Sequence, residues 1–126
     1  MSWLHGSIWT LLLTVAVAAR GEQLHQPPSL DAVAKDKYGD LVRLGHAIFT
    51  DTPNKAARYS GNRLSCSNCH LDAGRQANAA PLWAAFVAFP SWRAKTDRVD
   101  TFDDRVQQCF RYSLNGIPPA LGSIEL

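Results

Sequence analysis

The sequence predicts a small all-α domain, and three observations lead to that prediction. The chain has 126 residues, of which 46% are hydrophobic and 19% are charged, as is typical of one globular domain. Several stretches carry apolar residues at helical spacing, with capping residues, proline or glycine at their ends. No stretch shows the alternation of apolar and polar residues that marks a clear strand. We therefore expect helices connected by long loops.

Three helices are predicted, and they cover residues 31–49, 79–89 and 101–114. Asp31 is the expected N-cap of the first helix. Thr101 opens the last one, and Asp104 three residues later completes a pattern that resembles a capping box. The stretch 51–65 holds proline, glycine and asparagine and is expected to be loop. Residues 117–126 are predicted to form a tail rather than a second domain.

The N-terminus has the features of a targeting segment. Residues 8–19 form a 12-residue run without charge that ends in small residues, whereas a bilayer-spanning helix needs about 20. The run predicts a signal peptide over residues 1–19 that is cleaved, although no Lys or Arg precedes it, and an uncleaved anchor or a buried helix stays open. We expect a leader over 20–30, a domain over 31–126, no membrane span after cleavage, and a periplasmic location.

The overall charge of the chain is mild. Thirteen Lys and Arg residues stand against eleven Asp and Glu residues, which gives a formal net charge of +2. Proteins that bind nucleic acid or an anionic membrane surface concentrate much more positive charge. We therefore expect no nucleic-acid partner, and the function must be sought in specific motifs.

One motif carries clear chemistry: Cys66-Ser67-Asn68-Cys69-His70 is C-x-x-C-H, the attachment motif of a c-type haem. The thiols of Cys66 and Cys69 can bond to the two vinyl groups of one haem, and His70 is then the proximal iron ligand. The motif, the export signal and the helical pattern together predict a small cytochrome c-like domain around one covalent haem c.

Three other chemistries could use a C-x-x-C-H motif, and each fits this sequence less well than haem attachment. A thioredoxin-like C-x-x-C needs a βαβ context, which the sequence lacks. A zinc site could use Cys66, Cys69, His70 and Cys109, but tetrahedral ligation by the adjacent residues 69 and 70 is awkward. A plain disulfide would leave the histidine without a role. Haem attachment gives a role to both cysteines and to the histidine of the motif.

The second axial position of the iron has few candidates. Methionine, a frequent ligand in electron-carrying cytochromes, is excluded because Met1 is the single methionine. Cys109, His46, His25, a lysine or an open position remain. Small c-type folds generally place the distal ligand after the attachment motif, which favours Cys109 over the two histidines. A free cysteine is more often a small buried apolar residue, so the assignment stays a prediction.

Four stretches resemble a known family. They are Gly61 to Gly74, Ala80-Pro81, Phe89 to Arg93, and Arg105 to Gly116, and they resemble the N-terminal haem domain of thiosulfate dehydrogenases. The resemblance to the haem-bearing A subunit of the sulfur-oxidising multienzyme system is more distant. The resemblance to thiosulfate dehydrogenases implies that Cys109 is the distal haem ligand. It also implies that Arg105 and Arg93 bind anionic thiosulfate, with Ser113 as a polar group nearby.

The leading functional hypothesis is an exported single-haem c-type cytochrome that transfers electrons in sulfur-compound oxidation. Its expected partner is a redox cytochrome or a second haem subunit. The competing hypothesis is a catalytic subunit, or a truncated form, of a thiosulfate dehydrogenase that forms tetrathionate. Enzymes of the family carry a second haem domain, whereas this sequence has one C-x-x-C-H. A sensor of sulfur compounds is a third interpretation without specific support.

Overall fold

A computed structural model describes residues 27–126 of the chain. The predicted signal peptide, most of the predicted leader and His25 lie outside these described residues. The helices are α1 (Lys37–Thr50), α2 (Thr52–Lys55), α3 (Leu71–Gly74) and α4 (Phe102–Gln108), and the strands are β1 (Ser91–Arg93) and β2 (Arg98–Asp100). Single 3-10 turns cover Leu30–Ala32, Ala57–Tyr59, Cys66–Asn68 and Ala85–Ala88, and a π turn covers Cys109–Ser113.

The first predicted helix begins later than expected. Asp31 lies in a 3-10 turn, and the N-cap of α1 is Asp36, whose carboxylate accepts a hydrogen bond of 2.7 Å from the Gly39 amide. A carboxylate that accepts from the third helical amide satisfies a donor that would otherwise lack a partner. Asp31 makes no such bond in this structure, so the predicted start at residue 31 is wrong.

The second predicted helix, over 79–89, is also wrong except for one 3-10 turn. Ala80 and Ala84 have φ angles of 50° and 52°, a left-handed conformation that interrupts a right-handed helix. The backbone of this segment bonds elsewhere instead. The Leu82 amide donates to the Gly74 carbonyl at 2.8 Å, so the chain folds back on the segment that follows the C-x-x-C-H motif.

A two-stranded antiparallel sheet corrects the all-α prediction. Strands β1 and β2 pair with Ser91 opposite Asp100 and Trp92 opposite Val99. Asp97, with a φ of 53°, lies in the turn between them. Each strand has only three residues, too few for an alternating pattern to appear in the sequence. The fold is therefore mostly helical with one small hairpin.

The last predicted helix, over residues 101–114, is present, but its second half is a π turn rather than an α-helix. Thr101 and Asp104 form a reciprocal capping box at its start. After Gln108 the chain continues into the π turn, and the Leu114 amide donates to the Cys109 carbonyl at 3.0 Å. A π turn widens a helix locally and occurs often at functional sites. It begins here at the predicted distal ligand.

The buried core is small. Within residues 27–126 its five members are Ile48, Ala56, Tyr59, Phe110 and Leu114, and they join α1, the turn after α2 and the π turn. The C-terminal segment packs back on α4, because Gln107 donates to the carbonyl of the fully buried Pro119 at 2.7 Å. Among residues 27–126 no helix is both long and apolar enough to cross a membrane.

Two glycines allow the chain segments before and after this core to cross closely. The Gly61 amide donates to the Leu114 carbonyl at 2.9 Å. A β-carbon on Gly116 would lie 1.9 Å from the carbonyl oxygen of Tyr59, so no side chain fits unless the backbone moves. The crossing therefore requires glycine at position 116.

The Gly116→Ala variant is expected to lose about 1–3 kcal/mol or more of unfolding free energy, the usual cost of overpacking. Gly45→Ala is the matched control, since a β-carbon there meets nothing within 4 Å and alanine favours a helix interior. Urea unfolding of both variants measures the difference. Equal stability of the two would contradict the close crossing.

Candidate functional site

The C-x-x-C-H segment is held by side-chain hydrogen bonds at its start. Ser65 caps the 3-10 turn Cys66–Asn68, and the Ser65 amide donates to the Asn68 side chain at 2.7 Å. The Thr52 amide donates to the Ser65 hydroxyl at 3.1 Å, which fastens the motif to the start of α2. The His70 amide then donates to the Cys66 carbonyl at 3.0 Å. The motif forms one ordered turn.

His70 is the best-defined ligand candidate of the site. Its Nδ1 lies 2.6 Å from the carbonyl oxygen of Ala80. Because a carbonyl can only accept a hydrogen bond, Nδ1 carries the proton, and the neutral ring keeps a lone pair on Nε2. The Phe49 ring lies 6.1 Å from the imidazole, centroid to centroid. Metal-binding histidines are typically oriented by such a bond from their other ring nitrogen.

Cys66 is half-buried against the core, and its surroundings favour the neutral thiol. Its Sγ lies 3.7 Å from the hydroxyl of Thr52, a residue that is itself fully buried. Burial raises the pKa of the Cys66 thiol, the Thr52 hydrogen bond opposes that rise, and the charge of Cys109 adds to it. None of the three cysteines forms a disulfide, and Cys69 is exposed.

Cys109 is half-buried at the first position of the π turn. The next residue, Phe110, is buried in the core, and Val106, three residues before Cys109, packs against that core, as Cys66 does. His46, the competing ligand, is half-buried on α1, one turn before Phe49.

The predicted anion-binding residues are spread over three elements. Arg105 is half-buried on α4, Arg93 is half-buried on β1, and Ser113 is exposed at the end of the π turn. The ion pairs seen among residues 27–126 do not involve either arginine. An open cavity of about 590 Å³ lies on another face of α4, and its cationic side chains are Lys95, Arg98 and Arg111. None of the three predicted residues lines it.

Asp100 is a functional candidate that the sequence did not reveal. Its side chain is fully buried at the end of β2. Its carboxylate accepts hydrogen bonds from Arg98 at 2.7 Å, from Gln108 at 2.6 Å and from Thr96 at 3.1 Å. The Gln108 bond is the largest cause that lowers the pKa of Asp100 below its ordinary value of 3.8. This carboxylate therefore connects the hairpin to the residue before Cys109.

Acid is expected to weaken the fold through Asp100. Because the folded pKa lies below the unfolded one, the ionised carboxylate stabilises the fold above the unfolded pKa. That contribution is lost as the pH falls through the folded pKa. Urea unfolding between about pH 5 and pH 3 should therefore show a falling free energy of unfolding. Asp100→Asn should flatten this slope, and a slope equal to that of the unchanged protein would contradict the assignment.

The described residues include exposed apolar side chains and buried hydrogen-bond donors without a partner. A bound group that is both apolar and acidic would contact both. Twelve large apolar side chains are exposed, against five in the buried core, and a group as large as haem could cover part of that surface. The Nε atoms of Arg75 and Trp83 are buried and have no hydrogen-bond partner among residues 27–126. Buried donors normally find a partner, and a haem propionate is one candidate. The residues present fit a covalent haem.

Comparison with known proteins agrees with this geometry. The chain is 50% identical over 103 residues to thiosulfate dehydrogenase of Stutzerimonas stutzeri, an alignment that covers 82% of this chain and 34% of that protein. It is 53% identical over 100 residues to thiosulfate dehydrogenase of Thiomonas intermedia, which covers 79% and 32%. This chain is homologous to part of thiosulfate dehydrogenase. The resemblance seen in the sequence is thereby confirmed.

A solved thiosulfate dehydrogenase shares the fold. The chain named thiosulfate dehydrogenase (TsdBA) from Marichromatium purpuratum, in its as-isolated form, superposes with a TM-score of 0.79 at 42% identity. The match covers 83% of the present chain and 24% of that one. The present chain spans about a third of the length of the two thiosulfate dehydrogenases compared above. No protein-family model matches it.

Proposed function

We propose that this chain is the haem domain of an exported c-type cytochrome of the thiosulfate dehydrogenase type and that it transfers electrons. Cys66 and Cys69 hold one haem c through thioethers, and His70 is the proximal ligand. The observation that carries this proposal is the hydrogen bond from His70 Nδ1 to the Ala80 carbonyl. It leaves Nε2 as the free ligand atom of an oriented imidazole.

The residues around the motif have complementary roles in this proposal. The bound haem supplies a one-electron iron couple. Ser65 and Asn68 keep the motif in its turn, and Ala80 orients the imidazole of His70. Arg75 and Trp83 supply two donors that lack partners in the described part of the chain, and they are suited to acidic haem substituents. The domain binds and orients the group, and its apolar side chains exclude water.

Cys109 is the distal ligand in this proposal. Its half-buried position at the start of the π turn supports the assignment, and Met1 is the only methionine. A thiolate ligand donates electron density to the iron and lowers the reduction potential relative to methionine. Such a centre suits a reactive site as well as an electron carrier.

The cellular setting is proposed from the sequence and the relatives. The apolar run before Ala19 directs export to the periplasm, where the signal peptide is removed. The electron partner is a redox cytochrome or a second haem subunit, since one haem iron takes up one electron at a time. The relatives extend well beyond the part matched here, which leaves room for that second centre.

Substitution of His70 tests the core of the proposal. His70→Gln should keep both thioethers, because the cysteines are untouched, and should lose the low-spin visible spectrum of the reduced protein. His46→Gln is the control, and its spectrum should be unchanged. A His70→Gln protein with the original spectrum would contradict the proximal assignment.

Thiosulfate oxidation is the second candidate function, and the relatives named thiosulfate dehydrogenase favour it. Two thiosulfates join through a new sulfur–sulfur bond to give tetrathionate and release two electrons, so an acceptor must take up the second electron. Arg105 and Arg93, with Ser113 nearby, would hold the anion. Reduction of the haem by thiosulfate, with an acceptor cytochrome present, supports this function. If thiosulfate does not reduce the haem under those conditions, electron transfer remains the only function proposed for this chain.

A further inference from the structure

The buried carboxylate of Asp100 connects the hairpin to the far end of the helix that follows it. Thr96 and Arg98 donate to it from the hairpin, and Gln108 donates to it from the last position of α4. All these donors are ordinary partners of an ionised carboxylate, and a charge buried without them would be strongly disfavoured. The bonds therefore fix Gln108 to the hairpin.

Cys109 is consequently held between two different anchors. On one side, Gln108 is fastened to Asp100 at 2.6 Å. On the other side, Phe110 is 2% exposed and meets the Tyr59 ring edge-on at 6.3 Å between centroids. The helix changes from α to π pitch at Cys109 itself. Both chain neighbours of Cys109 are therefore held in place by contacts outside this helix.

Helix capping does not account for Asp100. The start of α4 is already closed by Thr101 and Asp104, with the Thr101 amide donating to Asp104 at 2.9 Å and the Asp104 amide donating to Thr101 at 3.1 Å. The Asp100 carboxylate instead reaches Gln108 at the other end of the same helix. The hydrogen bond from Gln108 to Asp100 therefore restrains the rotation of α4 about its axis at the residue before Cys109.

We propose that Asp100 is a positioning residue for Cys109 and acts through Gln108, so that the thiol points at the haem iron. This inference rests on the proposed function, in which Cys109 is the distal ligand. Ligand side chains need such support from a second layer of hydrogen bonds, because small rotations misdirect them. Neither Asp100 nor Gln108 touches the iron in this proposal.

Low-temperature electron paramagnetic resonance of the oxidised, haem-loaded full chain tests the proposal. The unchanged protein should show a histidine–thiolate low-spin signal. In Asp100→Asn and in Gln108→Leu the ratio of thiolate-ligated to other iron should fall by about 10-fold, the lower range for loss of an outer hydrogen-bond partner. Gln108→Leu leaves the Arg98 and Thr96 bonds to Asp100 in place, so it remains informative if Asp100→Asn does not fold.

Thr101→Ala is the matched control, since it removes the helix cap and leaves the bond between Asp100 and Gln108. It should lower the thermal midpoint and keep the thiolate signal. An unchanged signal in Gln108→Leu, or an equal loss in Thr101→Ala, would overturn the positioning role. A signal without thiolate in the unchanged protein would overturn both this role and the Cys109 assignment, while covalent haem attachment is tested separately by its pyridine spectrum.

Discussion

Replacing Cys66 and Cys69 together by alanine is expected to give a protein that carries no covalent haem and does not fold stably. The two thiols are the attachment points, so their removal leaves no covalent bond to the cofactor. The described residues have five buried apolar side chains, and small domains have only about 5–15 kcal/mol of net stability. Loss of the contacts with a bound group as large as haem should remove most of this free energy of unfolding.

The measurement is haem staining after denaturing electrophoresis, together with far-ultraviolet circular dichroism of the purified protein. Ser67→Ala is the control, because it changes the same turn and leaves both thiols. It should keep its haem and its helical signal. Covalent haem in the double variant, or a haem-free double variant with the original thermal midpoint, would refute the attachment or its role in stability.

Replacing Cys109 by methionine should raise the reduction potential while the haem stays attached. Methionine donates less electron density than thiolate, and axial ligands set haem potentials over a range of roughly 0.8 V, so a rise of about 0.1 V or more is expected. Spectroelectrochemical titration measures it. Ser113→Ala, in the same π turn, should keep the original potential.

An unchanged potential in Cys109→Met would show that another group ligates the iron. His46 is then the residue to replace next, because it lies half-buried on α1 one turn from Phe49, which contacts His70. A Cys109→Met protein with high-spin iron would instead show that the π turn cannot present a longer side chain. That result would support the thiol position and refute only the predicted size of the shift.

Local signals in the sequence predicted several parts of the fold correctly. The capping box of Thr101 and Asp104 marked the start of α4, because the pattern is formed by residues three apart. The apolar spacing of residues 31–49 predicted a helix that includes most of α1. The predicted start at Asp31 is wrong, because the folded chain places the cap at Asp36.

Features that depend on distant contacts could not be predicted. The predicted helix over 79–89 fails because Ala80 turns left-handed and its carbonyl accepts from His70, a contact across ten residues. The hairpin escaped prediction because each of its strands has only three residues. The C-x-x-C-H motif at Cys66 predicts haem attachment from the sequence alone, whereas the residues that hold the motif, such as Thr52 and Ala80, are visible only in the fold.

Cys66 and Cys69 are proposed to hold one haem covalently in an exported domain. Intact mass spectrometry of the protein, exported from a host that matures c-type cytochromes and then alkylated under denaturing conditions, tests it most directly. The expected mass is that of the chain without about its first 19 residues, plus one haem, with one alkyl group on Cys109. A haem-free mass with three alkylated cysteines would contradict it.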